Sequence, residues 1–491
     1  MNLKSFNQLA NLRNKNKHLK IGLCHGVFDI LHNGHIEHFK DAKKMVDILV
    51  VSVTSKEFVN KGPRQPLNNN AHRLNILQSL KFIDYTYLNK AKDSNEIIKF
   101  LKPNIYFKGL DYLKSDNHGN LKKEINVLKK NNGKIIFTKT KLQSSTKIFN
   151  QNYAWTKQQK KYLKNLSNYS FNDFKKIFND LKEKTINIIG EPIIDKYEYC
   201  DIVGTTTKDP AISVLANKSI SIDGGVVAVA KMASKFAKKI NLITYGDSKI
   251  LKKLSSEYPN INIINISKNL SIQTKTRFIN SNREEKLIQI TNFKENKFTI
   301  KDEKKCIKEL KKIKKQNILI CDFGLGLFKG RVLRYINSNS SNLNIYLNVQ
   351  TNSINLGFNL FTKYNKSEYL SLDAREWSLG LKKIEINFDK IPLSVQNLKF
   401  LAATKGKDGS MIKTKNKCIN APVFTKTAKD TTGSGDAFFI ISSMLIMLKT
   451  DPILIPFIGN VYAGMHAQNL GNMEIISSEQ LLSNINSMIK Q

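Results

Sequence analysis

Apolar and polar positions in the first third of the chain follow two periods. Short apolar runs fall at residues 21–25, 48–53, 84–88, 105–108 and 134–138. Between them, at 36–45, 71–80 and 95–101, apolar residues recur at three- and four-residue spacing. The first kind of run predicts a buried strand and the second an amphipathic helix. Strands alternating with helices predict a parallel sheet covered on both faces, so residues 1–150 are expected to form one α/β domain.

A second α/β pattern starts at 185–190, continues through the strands 317–321 and 398–404, and ends in helices at 435–448, 452–470 and 478–489. From about 198 to 222 and from 271 to 291 the alternation has period two, which puts one side chain in two on each face of a strand. These stretches are read as a small β lid over the main sheet, within a domain spanning 185–491. Residues 151–184 are polar and lysine-rich, yet Phe171, Phe174, Ile177, Phe178 and Leu181 repeat at helical spacing, and Ser170 with Asp173 supplies a capping box. This segment reads as a linker with one docking helix, or equally as the first helix of the second domain.

Composition narrows the function classes. A chain of 491 residues is too long for a typical single domain, and 41% hydrophobic residues suffice for sizeable cores. The longest apolar run, 437–448, is broken by two serines and is too short to span a bilayer. The basic N-terminal segment lacks the apolar stretch of a secretion signal, so a cytoplasmic protein without a membrane partner is expected. Cys24, Cys200, Cys306, Cys321 and Cys418 form no CxxC pair, which argues against a disulfide framework or a zinc site. The net charge of +39 raises the question of a nucleic-acid partner. The lysines, however, run through the whole chain among Asn and Ile, and no basic run interleaves with stacking aromatics. Nucleic acid is therefore not an expected partner, and the charge is expected to steer anionic, phosphate-bearing substrates.

The densest candidate chemistry lies at residues 22–39, GLCHGVFDILHNGHIEHF. An apolar strand ends near Gly26, a short loop follows, and a helix opens near Gly34. Gly34 lets the backbone approach a ligand closely. The helix start offers N–H groups and the positive end of its dipole. His32 and His35 can donate to phosphate oxygens as charge develops on them. Phosphoryl-type transfer needs little beyond such positioning and Mg2+. His38 and His72 read as surface histidines of their helices, and metal binding by His32, His35 and His38 has no carboxylate pattern to support it.

The pattern GxFDxxHxGH resembles the cytidylyltransferase-like nucleotidyltransferase family. Later segments extend the resemblance: KGPR at 61–64, Arg73 at a helix start, FKGLDY at 107–112 and QSSTK at 143–147. The resemblance implies that His32 and His35 stabilise the α-phosphate transition state, with Lys108 a further catalytic group. It also implies that Gly26, Phe28, Gly34, Lys61, Arg73, Ser145 and Thr146 bind nucleotide and phosphate, and that Asp29 and Asp111 face the sugar phosphate.

The sharpest motif of the second half is DTTGSGDAF at 430–438, a glycine-rich turn running into an apolar helix. Successive N–H groups there form an anion hole for a γ-phosphate, and Asp436 can accept the proton of an attacking hydroxyl. The motif resembles that of the ribokinase-like (PfkB) carbohydrate kinases. The resemblance makes Asp436 catalytic and gives nucleotide contacts to Gly433, Gly435, Lys405, Gly406 and Gly409. Sugar contacts fall to Asp195, Gly224, Gly225, Lys275 and Arg277, and metal contacts to Asp373 and Glu376. The chain departs from the family where Ala228 replaces an Asn that holds the sugar, where Asp373 replaces the Asn of NxxE, and at 347–351, LNVQT. Losing one such partner costs on the order of 1–3 kcal/mol.

Together the halves resemble the bifunctional ADP-heptose synthases, with the order reversed so that the transferase comes first. The fold expected is α/β in two domains: a Rossmann-like HxGH nucleotidyltransferase and a ribokinase-like domain with a small β lid. The resemblance implies nucleotidyl transfer from ATP or CTP to a sugar 1-phosphate, ATP-dependent phosphorylation of a sugar or sugar phosphate, Mg2+ as cofactor and a homodimer. Two alternatives are a transferase whose kinase-like half only binds or dimerises, and a basic nucleic-acid-binding protein.

Overall fold

The computed structural model describes residues 2–59, 66–91, 93–109, 120–138, 155–282, 285–293, 296–313, 315–352, 355–425 and 427–489. The expected residues Lys61, Asp111, Ser145 and Thr146 lie outside them. The chain divides into two compact units, Met1–Thr156 with Asn486–Gln491, and Lys157–Ile485.

In the first unit the strands are β1 (Asn2–Leu3), β2 (Ile21–Gly26), β3 (Ile48–Thr54), β4 (Tyr85–Asn89), β5 (Ile105–Gly109) and β6 (Lys134–Thr138). They form one parallel sheet in the order β1-β4-β3-β2-β5-β6. Every residue of β2 and β3 is buried, as befits parallel strands covered on both faces. Leu23, Val50 and Tyr106 pack on one face against Leu9, Leu12, Ile97 and Leu101. Cys24, Val51 and Phe107 pack on the other against Phe39, Ala42 and Leu74. After β2 the chain moves to one side of the sheet through β3 and β4, then crosses to β5 and β6 on the other. The ends of β2 and β5 therefore flank the switch point, where open α/β sheets bind ligands.

In the second unit the strands are β7 (Thr185–Gly190), β8 (Pro192–Thr205), β9 (Ile212–Gly224), β10 (Lys239–Thr244), β11 (Ile261–Asn265), β12 (Gln273–Asn280), β13 (Lys286–Asn292), β14 (Asn317–Asp322), β15 (Asn344–Val349), β16 (Tyr369–Asp373), β17 (Phe400–Thr404), β18 (Ser410–Lys413) and β19 (Cys418–Ala421). The main sheet runs β11-β10-β7-β14-β15-β16-β17-β18-β19 and turns antiparallel only at β18 and β19. A separate sheet, β13-β12-β8-β9, forms the lid. The helix Ser434–Met447 is buried on all sides from Asp436 to Ile446, which explains why apolar residues occupy every face of it.

The 151–184 segment carries two helices, Lys157–Asn165 and Phe171–Leu181, both within the second unit. The Ser170–Asp173 capping box is present, and Phe174 and Phe178 pack against Phe457 and Phe236. Among the described residues no helix is long and apolar enough to cross a membrane, and all five cysteines are free thiols.

Candidate active sites

The first site is built at the end of β2. Helix Asn33–Lys44 takes Gly34 into its first turn and starts from His32, whose extended backbone (φ −140°) leaves its carbonyl to accept the His35 N–H at 2.9 Å. This brings the two imidazoles together, with ring centroids 3.9 Å apart. His32 Nδ1 is buried without a hydrogen-bond partner among the described residues, and burial lowers the His32 pKa.

Phe28 and Gly26 position this pair. Phe28 is buried at φ +46°, and its ring meets His35 edge-on at 5.6 Å. A Cβ on Gly26 would lie 2.9 Å from that ring. Gly26 and Phe28, expected as nucleotide contacts, thus pack behind His35.

Two further expectations change. Arg73 is 1% exposed and donates to the carbonyls of Val27 (2.7 Å) and Thr54 (2.8 Å) and to Asn70 (2.6 Å). Its guanidinium fastens the β2 and β3 ends and is not directed at a phosphate. Asp29 accepts the N–H groups of Leu67 (2.7 Å) and Asn68 (2.8 Å), so its carboxylate anchors a loop instead of facing a sugar or an ion.

Lys108 reaches the end of β5 at the switch point, but its buried ammonium lies 3.4 Å from Glu124 and 4.9 Å over the Tyr106 ring. Glu124 also accepts from Ser94 (2.7 Å) and Tyr106 (3.1 Å). Burial would raise the Glu124 carboxyl, but Lys108, His25 and the Ser94 hydrogen bonds together outweigh it and hold it down. A phosphate would compete with this carboxylate for Lys108, so the sequence-based catalytic role becomes one shared with Glu124. His38, expected at the surface, is buried and bonded to Thr138 Oγ1 at 2.7 Å, with burial holding its pKa near about 4. His72 is exposed as expected.

The second site gathers residues from the lid and the main sheet. Asp195 on β8 pairs with Arg277 on β12 at 2.5 Å, both buried. Lys275 stands opposite Asp195 in register and lies in the field of Asp195, Arg277 and Asp436. Gly224 and Gly225 open helix Gly225–Ser234, and a Cβ on Gly224 would strike Asp195 Oδ2. Ala228 is fully buried in that helix.

Asp436 lies in the first turn of Ser434–Met447. Burial pushes its carboxyl up to about 7, with Lys275 opposing and Asp195 adding to the rise. Gln350, from the LNVQT strand, donates to Asp436 Oδ1. Sequence reasoning noted that strand as a departure and missed the residue. Gly433 turns the chain at φ +81°, and a Cβ there would meet Asn472 (2.5 Å) and His466 (2.8 Å). A Cβ on Gly435 would meet nothing within 4 Å.

Asp373 and Glu376 close a reciprocal capping box, and Glu376 also accepts the Thr351 N–H at 3.0 Å. Burial pushes the Glu376 carboxyl up to about 8, assisted by Asp373 and Asp436. Both carboxylates thus serve as caps at the start of helix Ala374–Leu381. Lys405 borders a cavity of about 550 Å3 with Phe388 and Asn420, beside the Gly406–Gly409 turn.

The cytidylyltransferase-like family model matches residues 23–170. The bifunctional protein HldE of Aliarcobacter butzleri is 34% identical over 137 residues, which is 27% of this chain and 29% of that protein. HldE of Campylobacter jejuni subsp. doylei is 38% identical over 112 residues, 22% of this chain and 24% of that protein. The matches span less than a third of these relatives' lengths. Phosphofructokinase-2 from Escherichia coli, solved with substrates and products, superposes with a TM-score of 0.52 at 11% identity, covering 63% of this chain and 100% of that one. At that identity the likeness is one of fold. The chain thus joins a cytidylyltransferase-like segment, similar to part of the bifunctional HldE proteins, to an α/β unit with the fold of phosphofructokinase-2.

Proposed function

We propose that the chain is a bifunctional sugar-nucleotide enzyme of the cytoplasm. In the first unit an oxygen of a heptose-like sugar 1-phosphate attacks the α-phosphorus of an NTP, ATP favoured over CTP, and pyrophosphate leaves. The paired imidazoles at a helix start beside the switch point support this reading, because donors at a helix start can stabilise charge that develops on a phosphate. No covalent enzyme intermediate is needed.

In the second unit a hydroxyl of a sugar or sugar phosphate attacks the γ-phosphorus of ATP, and Asp436 takes its proton. The Asp436–Lys275–Asp195 cluster favours this over a module that only binds or dimerises. Magnesium would accompany the nucleotide and supply charge neutralisation at its phosphates, with Asp373 and Glu376 the residues expected to hold it in the second unit. The lid exposes Ile202, Val203, Ile212, Leu215, Ile288 and Ile290, apolar positions suited to a homodimer interface.

The test is a pyrophosphate-release screen crossing four NTPs with a panel of sugar 1-phosphates, run beside an ADP-release assay on sugars and sugar phosphates. Release with ATP and a heptose-like 1-phosphate is the expected result. No pyrophosphate from any pair would overturn the transferase reading.

A further inference from the structure

Lys286, the first residue of β13, crosses from the lid to the phosphate loop. Its ammonium lies 2.6 Å from Asp430 Oδ1 and 3.0 Å from Thr432 Oγ1. Asp430 is buried, and its oxygens also accept the Thr432 N–H (2.9 Å), the Gly471 N–H (3.1 Å) and the hydroxyl of Tyr197 on β8 (3.0 Å). Burial would raise the Asp430 carboxyl, but Lys286 and Thr432 outweigh it and hold it at about 2. One carboxylate therefore ties two lid strands to the residues just before Gly433.

Asp430 does not need Lys286 to stay satisfied, since two backbone N–H groups and a phenol remain. Lys286 is also the exposed member of the pair, at 42% against 0% for the carboxylate side chain. An ammonium has three donors, and Asp430 and Thr432 engage two of them. The contact with Thr432 puts the charge one residue from the Gly433 turn.

We propose that Lys286 is a phosphoryl-group ligand of the second site. It keeps Asp430 and turns its third donor to an equatorial oxygen of the migrating phosphoryl group. The lid thus supplies a cation to the transition state, and the anion hole is complete only with the lid seated. The inference rests on the kinase reading of Asp436.

The test compares the full chain with Lys286→Met and Lys286→Arg in the ADP-release assay, with melting temperatures measured alongside. Removing a transition-state donor of this kind lowers kcat by about a hundredfold. Lys286→Met is expected to show such a loss, with the sugar KM little changed. Lys286→Arg is expected to restore most of the rate because it returns the charge. Unchanged kcat in Lys286→Met, or an Arg variant as slow as the Met variant at equal melting temperature, would overturn the inference and leave the kinase reading intact. A wild-type chain with no ADP release on any sugar would overturn both.

Discussion

Asp436 is the residue whose environment makes the most specific demand. With its carboxyl pushed up to about 7, it is protonated below that pH and cannot take a proton from the attacking hydroxyl. ADP release is therefore expected to rise about tenfold per pH unit below neutrality and to level off above it. A profile flat from pH 5 to 8 would remove Asp436 as the base. The type and position of Asp436 were legible in DTTGSGD, as were His32 and His35 in HxGH. Burial was not. Arg73 and Asp29 match a motif as letters, yet most of their hydrogen bonds go to backbone groups of other segments, which nothing local in the chain announces. Gln350 and Glu124 were illegible for the same reason: each reaches its partner across strands or helices distant in sequence.

At the scale of elements, the glycine turn of 433–435 separates stability from chemistry. Gly433 combines φ +81° with close neighbours on its Cβ side, whereas Gly435 faces open space at a helix start. Gly433→Ala is expected to lower the melting temperature of the chain, because an alanine at positive φ is strained and has no room. Gly435→Ala is expected to keep the fold and slow ADP release by crowding the phosphate. Calorimetry beside the kinetic assay checks both, and equal stability losses would contradict the distinction. Strands β2 to β6 of the first sheet and β7, β14 and β17 of the second were legible from their apolar runs, to within about two residues at their ends, whereas β1 and most other strands of the second sheet were not. Helix Phe6–Lys15 was not, since only Leu9 and Leu12 of its ten residues are buried. Helix Lys157–Asn165 was hidden for a similar reason: it packs through Gln159 and Tyr162 and shows no apolar period.

The whole molecule joins two compact units, each with its own sheet and its own helix start built from a glycine-bearing turn. The charge of +39 is spread over both, which suits two sites that each take polyanionic nucleotides. The central claim is that the two sites work independently, one on the α-phosphorus and one on the γ-phosphorus. The most direct test measures pyrophosphate and ADP release in parallel for His35→Ala and Asp436→Asn in the full chain. The account predicts that His35→Ala loses pyrophosphate release and keeps ADP release, and that Asp436→Asn does the reverse. Loss of both activities from either substitution, at an unchanged melting temperature, would contradict it.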